Sequence, residues 1–364
     1  MFVGRKAELR ELNSLYDSGK FECVAVYGRR HIGKTALISE FIKDKDAIYF
    51  SARELTDKYN LEAFKRAIAE HFGIADSTAS TWRDAMKEIG VRLNDERLIL
   101  VMDNYSDACL TNKELSSIIA KAIDENFIDS RLFLILCCGH MTAFDREVLD
   151  VRSPLSGYVT CRLNLKGLSF EEASEFMAGF EEKVRRRLYD CIGGTPLYLS
   201  NIDGRKTADK NIADLFLRSS GFLYNDIEMA LQKELIGPAV YNSILRAIAY
   251  GNYKSKDILS ETGEERSKLH KYLNVLIAMD VLCRDVPEGE DPSVSRRGMY
   301  YFEDNAYRFW YRYVLDNRDL IARGYDPYRI EAWQTELNCY SSKDFFLGLT
   351  ATIFVTDQGT QSML

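Results

Sequence analysis

Short, nearly continuous apolar runs alternate along the first half of the chain with longer stretches in which apolar residues recur every three or four positions. The runs are "ECVAVYG" (22 to 28), "AIYFSA" (47 to 52), "RLILVMD" (97 to 103), "RLFLILCCG" (131 to 139) and "TCRLNL" (160 to 165). Their length and unbroken apolar character predict five strands covered on both faces. Helices are predicted between them over 36–43, 61–72, 81–93 and 114–127; in the second, Leu61, Phe64, Ile68 and Phe72 fall on one face. Strands alternating with such helices imply right-handed crossovers, so the expected class is α/β with a parallel five-stranded sheet. Ser169 followed by Glu172 is a capping-box pair, predicting a further helix through Phe176 and Phe180.

Beyond "GGTPLYL" (193 to 199) the pattern becomes helical, from Asn211 through Glu234. A compact pattern follows: "AVYNSILRAIA", "KSKDILSETG" and "EERSKLHKYLNVLIAMDVLCRDV", then "MYYFED". In the third piece Leu269, Tyr272, Leu273, Leu276 and Ile277 form one apolar stripe, and Thr262-Gly263 supplies the turn before it. Helix, helix, glycine turn, helix and two strand-like runs are the sequence image of a winged helix-turn-helix. Four segments are therefore expected: an α/β domain over 1–168, a helical lid or linker over 169–237, a winged helix over 238–304, and an aromatic helical extension with a short tail over 305–364.

With 364 residues and 46% hydrophobic content, the chain is long enough for two or three domains. No apolar run approaches the roughly 18 residues needed to cross a bilayer, and "MFVGRKAELREL" lacks a signal-peptide core, so a cytoplasmic protein without a membrane partner is expected. The eight cysteines include no Cys-x-x-Cys pair, and Cys23, Cys137, Cys138 and Cys161 lie in apolar runs, which argues against structural zinc and a disulfide framework. A net charge of -7, from 48 basic and 55 acidic residues, gives no general attraction to nucleic acid.

The strongest chemical signal is Gly28-Arg29-Arg30-His31-Ile32-Gly33-Lys34-Thr35, which satisfies G-x-x-x-x-G-K-[ST] directly after a strand and before a helix that includes Ala36. Gly28 and Gly33 let the backbone curl so that its N–H groups face phosphates. Lys34 brings a mobile positive charge and Thr35 a hydroxyl for magnesium. Such a loop also needs a carboxylate at a neighbouring strand end, and Asp103 is placed to supply it for the metal. The expected ligand is a nucleoside triphosphate with Mg2+, held by Thr35 and Asp103 through the metal. The residue after Asp103 is Asn104, which can orient a water and cannot take its proton. Asp107 could substitute only if its loop folds back toward the γ-phosphate.

Several stretches together resemble the archaeal-type ATPase family within the signal-transduction ATPases with numerous domains, a branch of the P-loop superfamily. They are "FVGRKAELREL", "VYGRRHIGKTALI", "YFSAR", "LILCCGH", "SPLSGY", "GGTPLYL" and "YFEDNAYRFWYRYV", over roughly residues 1 to 320. The resemblance implies ATP as the nucleotide, Val3, Gly4, Arg5 and the Pro196 region flanking adenine and ribose, and a sheet with an extra strand between the P-loop and Asp103 strands. It also shows departures. Where the family has Asp-Glu, this chain has Asp103-Asn104; a small polar sensor is replaced by His140; and Pro154-Leu155-Ser156-Gly157-Tyr158 lacks the family's arginine, with Arg152 and Arg162 outside the matching position. Lys34, Asp103 and Asn104 remain the candidate catalytic positions. Loss of a general base costs about 10² to 10⁴ in rate, so slow or absent turnover is expected of an ATP-binding switch. A competent hydrolase using another base and a DNA-binding regulator stay open as alternatives.

Should the winged helix read DNA, Arg266, Ser267, His270, Lys271 and Asn274 face away from the apolar stripe, with Arg296 and Arg297 on the wing. Against this, residues 254 to 285 hold six basic and six acidic residues, too balanced for a strong phosphate-attracting field. A protein-docking role is the competing expectation. Longer relatives in the resembled family continue into a restriction-endonuclease-like domain; the stretch after Asn338 shows no metal site of that type, so nuclease activity is not an expectation carried over from the resemblance.

Overall fold

The computed structural model describes residues 2–93, 96–235, 237–291, 294–295 and 297–324. The described residues divide into two compact units, the first comprising those within 2–168, 234–235 and Glu265–Cys283, the second Ser169–Lys233, Gly237–Glu264 and those within 284–324.

The first unit runs α1 (Lys6–Asp17), β1 (Glu22–Tyr27), α2 (Lys34–Ile42), β2 (Ala47–Ser51), α3 (Asp57–Phe72), α4 (Trp82–Arg92), β3 (Ile99–Asp103), α5 (Tyr105–Thr111), α6 (Leu115–Ala122), β4 (Phe133–Cys137), α7 (Met141–Phe144) and β5 (Cys161–Asn164). All five expected strands are present, each a residue or more shorter than its apolar run. They form one parallel sheet in the order β2-β3-β4-β1-β5. The extra strand between those of the P-loop and Asp103 is thus β4.

The sheet's period of two divides the core into two layers. Val24 and Val26 of β1, Ile99 and Val101 of β3, and Phe133 and Ile135 of β4 pack with Leu12 of α1 and Leu37, Ile38 and Phe41 of α2. Their neighbours Cys23, Ala25, Leu100, Met102, Leu134 and Leu136 face the opposite layer, with Phe64 of α3, Trp82 of α4 and Ile119 of α6. Helices cover both faces, which is why the strands read as continuous apolar runs. Thr81 and Asp84 form a full capping box at α4, fixing its start. The helix expected over 114–127 is α6 followed by one π-helical turn at Ile123–Phe127.

The second unit holds α8 (Phe170–Ala173), α9 (Glu182–Ile192), α10 (Pro196–Leu199), α11 (Ala208–Phe216), most of α12 (Phe222–Glu234), α13 (Pro238–Ala249) and α14 (Ser255–Thr262). The capping box of Ser169 and Glu172 is formed, but its helix passes into a 3-10 turn at Ser174–Met177 and stops, so Phe180 lies beyond it. Next in sequence come α15 (Arg266–Ala278), which belongs to the first unit, and the short strands β6 (Leu282–Asp285) and β7 (Met299–Phe302), followed in the second unit by α16 (Asn305–Phe309) and α17 (Arg318–Ala322). Three helices and two strands therefore follow one another in the expected sequence order. The aromatic stretch is core: Phe309, Trp310, Tyr311 and Tyr313 are buried, and Trp310 Nε1 donates to Tyr224 O at 2.9 Å.

Candidate nucleotide site

Because every strand of the sheet is parallel, their carboxyl ends share one edge, and the 28–36 stretch, Asp103 and Asn104 collect there. The 28–33 loop leaves β1 and ends at the first turn of α2. Gly28 has φ +140°, and a Cβ there would come 2.4 Å from the carbonyl oxygen of Leu165 at the end of β5, so only glycine fits. Gly33 caps α2 at φ +94°, and His31 between them is also left-handed at φ 65°. Lys34 Nζ donates to Gly28 O at 2.8 Å and Arg29 O at 2.9 Å, folding the ammonium over the loop where a phosphate group would take those donors. Arg29 and Ile32 are buried, while Arg30, Thr35 and Ala36 are exposed at the loop and helix start. Curled backbone, ammonium and helix amino terminus fit a polyphosphate.

Asp103 is almost fully buried at the end of β3. Its Oδ2 accepts from Thr35 Oγ1 at 2.9 Å and from the phenol of Tyr49 at 2.6 Å, and its Oδ1 accepts from the Asn104 amide at 2.9 Å. Burial and then the Asp103 charge push the Tyr49 phenol far above its ordinary pKa, so Tyr49 stays a donor. A carboxylate and a hydroxyl in direct contact are the hard oxygen donors that Mg2+ takes alongside phosphate oxygens and water. The residues fit the metal; Thr35 and Asp103 would hold it, and the chemistry it would supply there is neutralisation of phosphate charge. Among the described residues no cluster of three or more His, Cys, Asp or Glu forms a separate metal site.

Asn104 adopts the left-handed conformation, φ 52° and ψ 36°, which Asn tolerates better than most residues, and its Nδ2 donates to Ser51 Oγ at 3.2 Å. Two residues on, Ser106 Oγ accepts from the backbone amides of Gly139, at 3.1 Å, and His140, at 2.7 Å. This ties α5 to the end of β4 and carries Asp107 with it: a Cβ on Gly139 would come 2.6 Å from Asp107 Oδ1 and 3.0 Å from Asn104 Cβ. Burial pushes the Asp107 carboxyl up to about 6; the carboxylates of Glu54 and Glu234 add to the rise, and His140 and Arg30 oppose it. The His140 ring is held by Glu234, Nδ1 to Oε2 at 3.1 Å, and the same carboxylate accepts from the Met141 amide.

Arg5, also left-handed, is buried. Its guanidinium donates to Ile32 O at 3.0 Å and Lys166 O at 2.5 Å and pairs with Glu8, bracing the loop from behind. Val3 is buried and Gly4 has φ 69°. Pro196 belongs to the second unit, at the first position of α10. Arg152 forks onto Asp150 on an exposed turn, and Arg162 lies on the edge strand β5. On α15, Arg266, Ser267, His270, Lys271 and Asn274 are exposed and Leu269, Leu273 and Leu276 buried, as the stripe predicts. Arg297 is exposed and paired with Glu290, whereas Arg296 lies outside the described residues.

Sequence reasoning did not find Tyr49, Ser51, Ser106 or Glu234. Only the parallel register, which sets Ser51 beside Asp103, and the β3–α5–β4 path bring the first three to this edge.

A parallel sheet of this order, with the loop after β1 facing a buried aspartate two strands away, defines a P-loop nucleoside triphosphatase fold. The family described as an ATPase domain predominantly from Archaea matches residues 2–202, and the chain belongs to it. An uncharacterized protein of Methanocaldococcus jannaschii is 30% identical over 344 residues, covering 93% of this chain and 74% of the relative. An uncharacterized ATP-binding protein of the same organism is 44% identical over 45 residues, 12% of this chain and 76% of that protein. In structure the chain is similar to the Walker-type ATPase of Pyrococcus abyssi, with a TM-score of 0.62, 19% identity, and coverage of 85% of this chain and 96% of that one. The chain is thus an ATP-binding protein of the ATPase class.

Proposed function

We propose that the chain binds ATP as its magnesium complex and acts as a nucleotide-dependent switch with slow turnover. Asn104 carries this reading. It occupies the position that follows the metal aspartate, its amide is engaged with Ser51, and it offers no group able to take a proton. Contacts to the γ-phosphate order the loops at the sheet edge, and their loss after hydrolysis releases them, a general route to switching. Val3, Gly4 and Arg5 belong in this reading to the adenine side, with Arg5 acting through the Ile32 carbonyl. No helix among the described residues is long and apolar enough to cross a membrane, and the proposed setting is the cytoplasm.

The test is calorimetry and steady-state hydrolysis on the full chain. Saturable magnesium-dependent ATP binding, lost in Lys34→Ala, with turnover well below about 1 per second supports the switch. Turnover of about 1 to 100 per second, abolished by the same variant, removes the slow-switch part.

A second reading concerns the partner. The exposed face of Arg266, His270, Lys271 and Asn274 suits either a docking protein or DNA. Balanced charge and the Glu290 pairing of Arg297 favour a protein. Tight DNA binding that falls steeply with salt and is lost in Arg266→Ala with Lys271→Ala would decide for nucleic acid.

A further inference from the structure

We propose that Asp107 takes the proton of the attacking water in this chain, presented at the end of β4 instead of from the position after Asp103. This rests on the ATP-binding reading above and names the source of its slow turnover. β4 lies between the P-loop strand and the Asp103 strand, with Cys138 N donating to Val26 O at 2.9 Å, so whatever stands over its end faces the middle of the site's edge. In this chain Gly139 puts no side chain there. The Asp107 carboxylate fills the space, since a Cβ at 139 would come 2.6 Å from Oδ1.

Three contacts set that position. The Asp107 amide donates to Asn104 O at 2.9 Å, and Ser106 Oγ holds the amides of both Gly139 and His140. Glu54, Glu234, His140 and the P-loop residue Arg30 are the charged or titratable groups acting on the carboxylate. A half-buried carboxyl titrating near 6 is ionised at neutral pH and more basic than an exposed one, as a proton acceptor requires. His140, another titratable group at this end of β4, is held by Glu234.

In the step itself the water oxygen bonds to the γ-phosphorus while the bond from that phosphorus to the β,γ-bridging oxygen breaks. The electron pair leaves on ADP, the water proton passes to the Asp107 carboxylate, and from there it goes to solvent.

Hydrolysis of magnesium-ATP by the full chain is measured from about pH 5 to about pH 9, beside ATP affinity, for the wild type, Asp107→Asn, Asp107→Glu and Gly139→Ala. The wild-type rate is expected to fall below about pH 6. Asp107→Asn should lower it about 10²-fold or more and flatten the profile, with affinity within about threefold. Asp107→Glu should restore part of the rate and the acidic limb. Gly139→Ala, which displaces the carboxylate without removing it, should lower the rate about tenfold or more. If Asp107→Asn does not fold, Gly139→Ala and the wild-type profile decide. An Asp107→Asn rate within about threefold of wild type, or a flat wild-type profile, overturns the proposal. Wild type that binds ATP without hydrolysing it overturns the role of Asp107 and leaves the switch standing; absence of ATP binding removes both.

Discussion

Thr35 Oγ1 donates a 2.9 Å hydrogen bond to Asp103 Oδ2, joining the first turn of α2 to the end of β3 across 68 residues of sequence. The same oxygen accepts from Tyr49. The carboxylate thus lies in position with both neighbours donating to it, and this same carboxylate and the Thr35 hydroxyl would hold a metal ion.

Asp103→Ala should therefore separate magnesium dependence from nucleotide binding. In the wild type, ATP affinity should rise on adding Mg2+. In the variant the rise should be reduced about tenfold or more, because Asp103 is the carboxylate proposed to hold the metal. Stability should also fall by about 1–3 kcal/mol, since the half-buried Tyr49 phenol loses its acceptor. Calorimetric titrations with and without Mg2+, beside thermal melts, read both effects. An unchanged magnesium response would show that Asp103 does not hold the metal.

In the second unit, Thr195 and Asp304 join two distant sequence stretches. Thr195 Oγ1 donates to Asp304 Oδ2 at 2.8 Å, and Asp304 Oδ1 accepts from the Ala306 amide at 2.7 Å, capping α16. Both residues are buried. Asp304→Ala should destabilise the chain by about 2–4 kcal/mol, because it leaves a buried hydroxyl and a helix amide without an acceptor. Thr195→Val should cost about 1–2 kcal/mol, and the double variant less than the sum by about 1 kcal/mol. Urea unfolding of the four chains measures the coupling; strict additivity would mean that the bond contributes nothing.

The sheet was legible because its strands are buried on both faces, and every one of the five runs is a strand. The loop from Gly28 to Thr35 was legible because its spacing is imposed by phosphate geometry within one turn of chain. What could not be read is whatever depends on register or on several crossovers. Tyr49 meets Asp103 only because β2 pairs with β3. Gly139 is small because a carboxylate 32 positions earlier occupies its side, and its neighbours in sequence give no sign of this. The same holds for Asn104, whose left-handed backbone gives Asn a conformational reason to stand there in addition to a chemical one.

Asp190 gives the second unit a pH dependence of unusual sign. Burial pushes its carboxyl up to about 6, with Arg308 and Arg186 opposing the rise. A carboxyl raised above its unfolded value binds more protons in the folded state, so stability is lost as pH rises from about 4 through about 6. Asp190→Asn removes this penalty, and the Arg308 hydrogen bond at the site goes to the Asp190 backbone carbonyl, which the substitution keeps. The variant should be the more stable chain at pH 8, by up to about 2–3 kcal/mol, with the difference vanishing near pH 4. Urea unfolding at these two pH values checks the sign; greater wild-type stability at pH 8 would show that the carboxylate is stabilised in place.

Asn104→Glu tests how far the chemistry of this one position limits turnover. Restoring a carboxylate next to Asp103 should raise the hydrolysis rate about 10²-fold or more, since that is the range general bases supply. The backbone opposes the change. At φ 52° a Glu is less well tolerated than Asn, at about 1 kcal/mol, and the bond to Ser51 is lost, so the melting temperature should fall by a few degrees. Combining it with Asp107→Asn distinguishes the two carboxylates. With Glu at 104 the second substitution should change the rate by less than about threefold, whereas in the wild-type background it should be severe. Equal losses in both backgrounds would mean that Asp107 shapes the site and accepts no proton, and a lower melting temperature with no gain in rate would place the limit on turnover outside position 104.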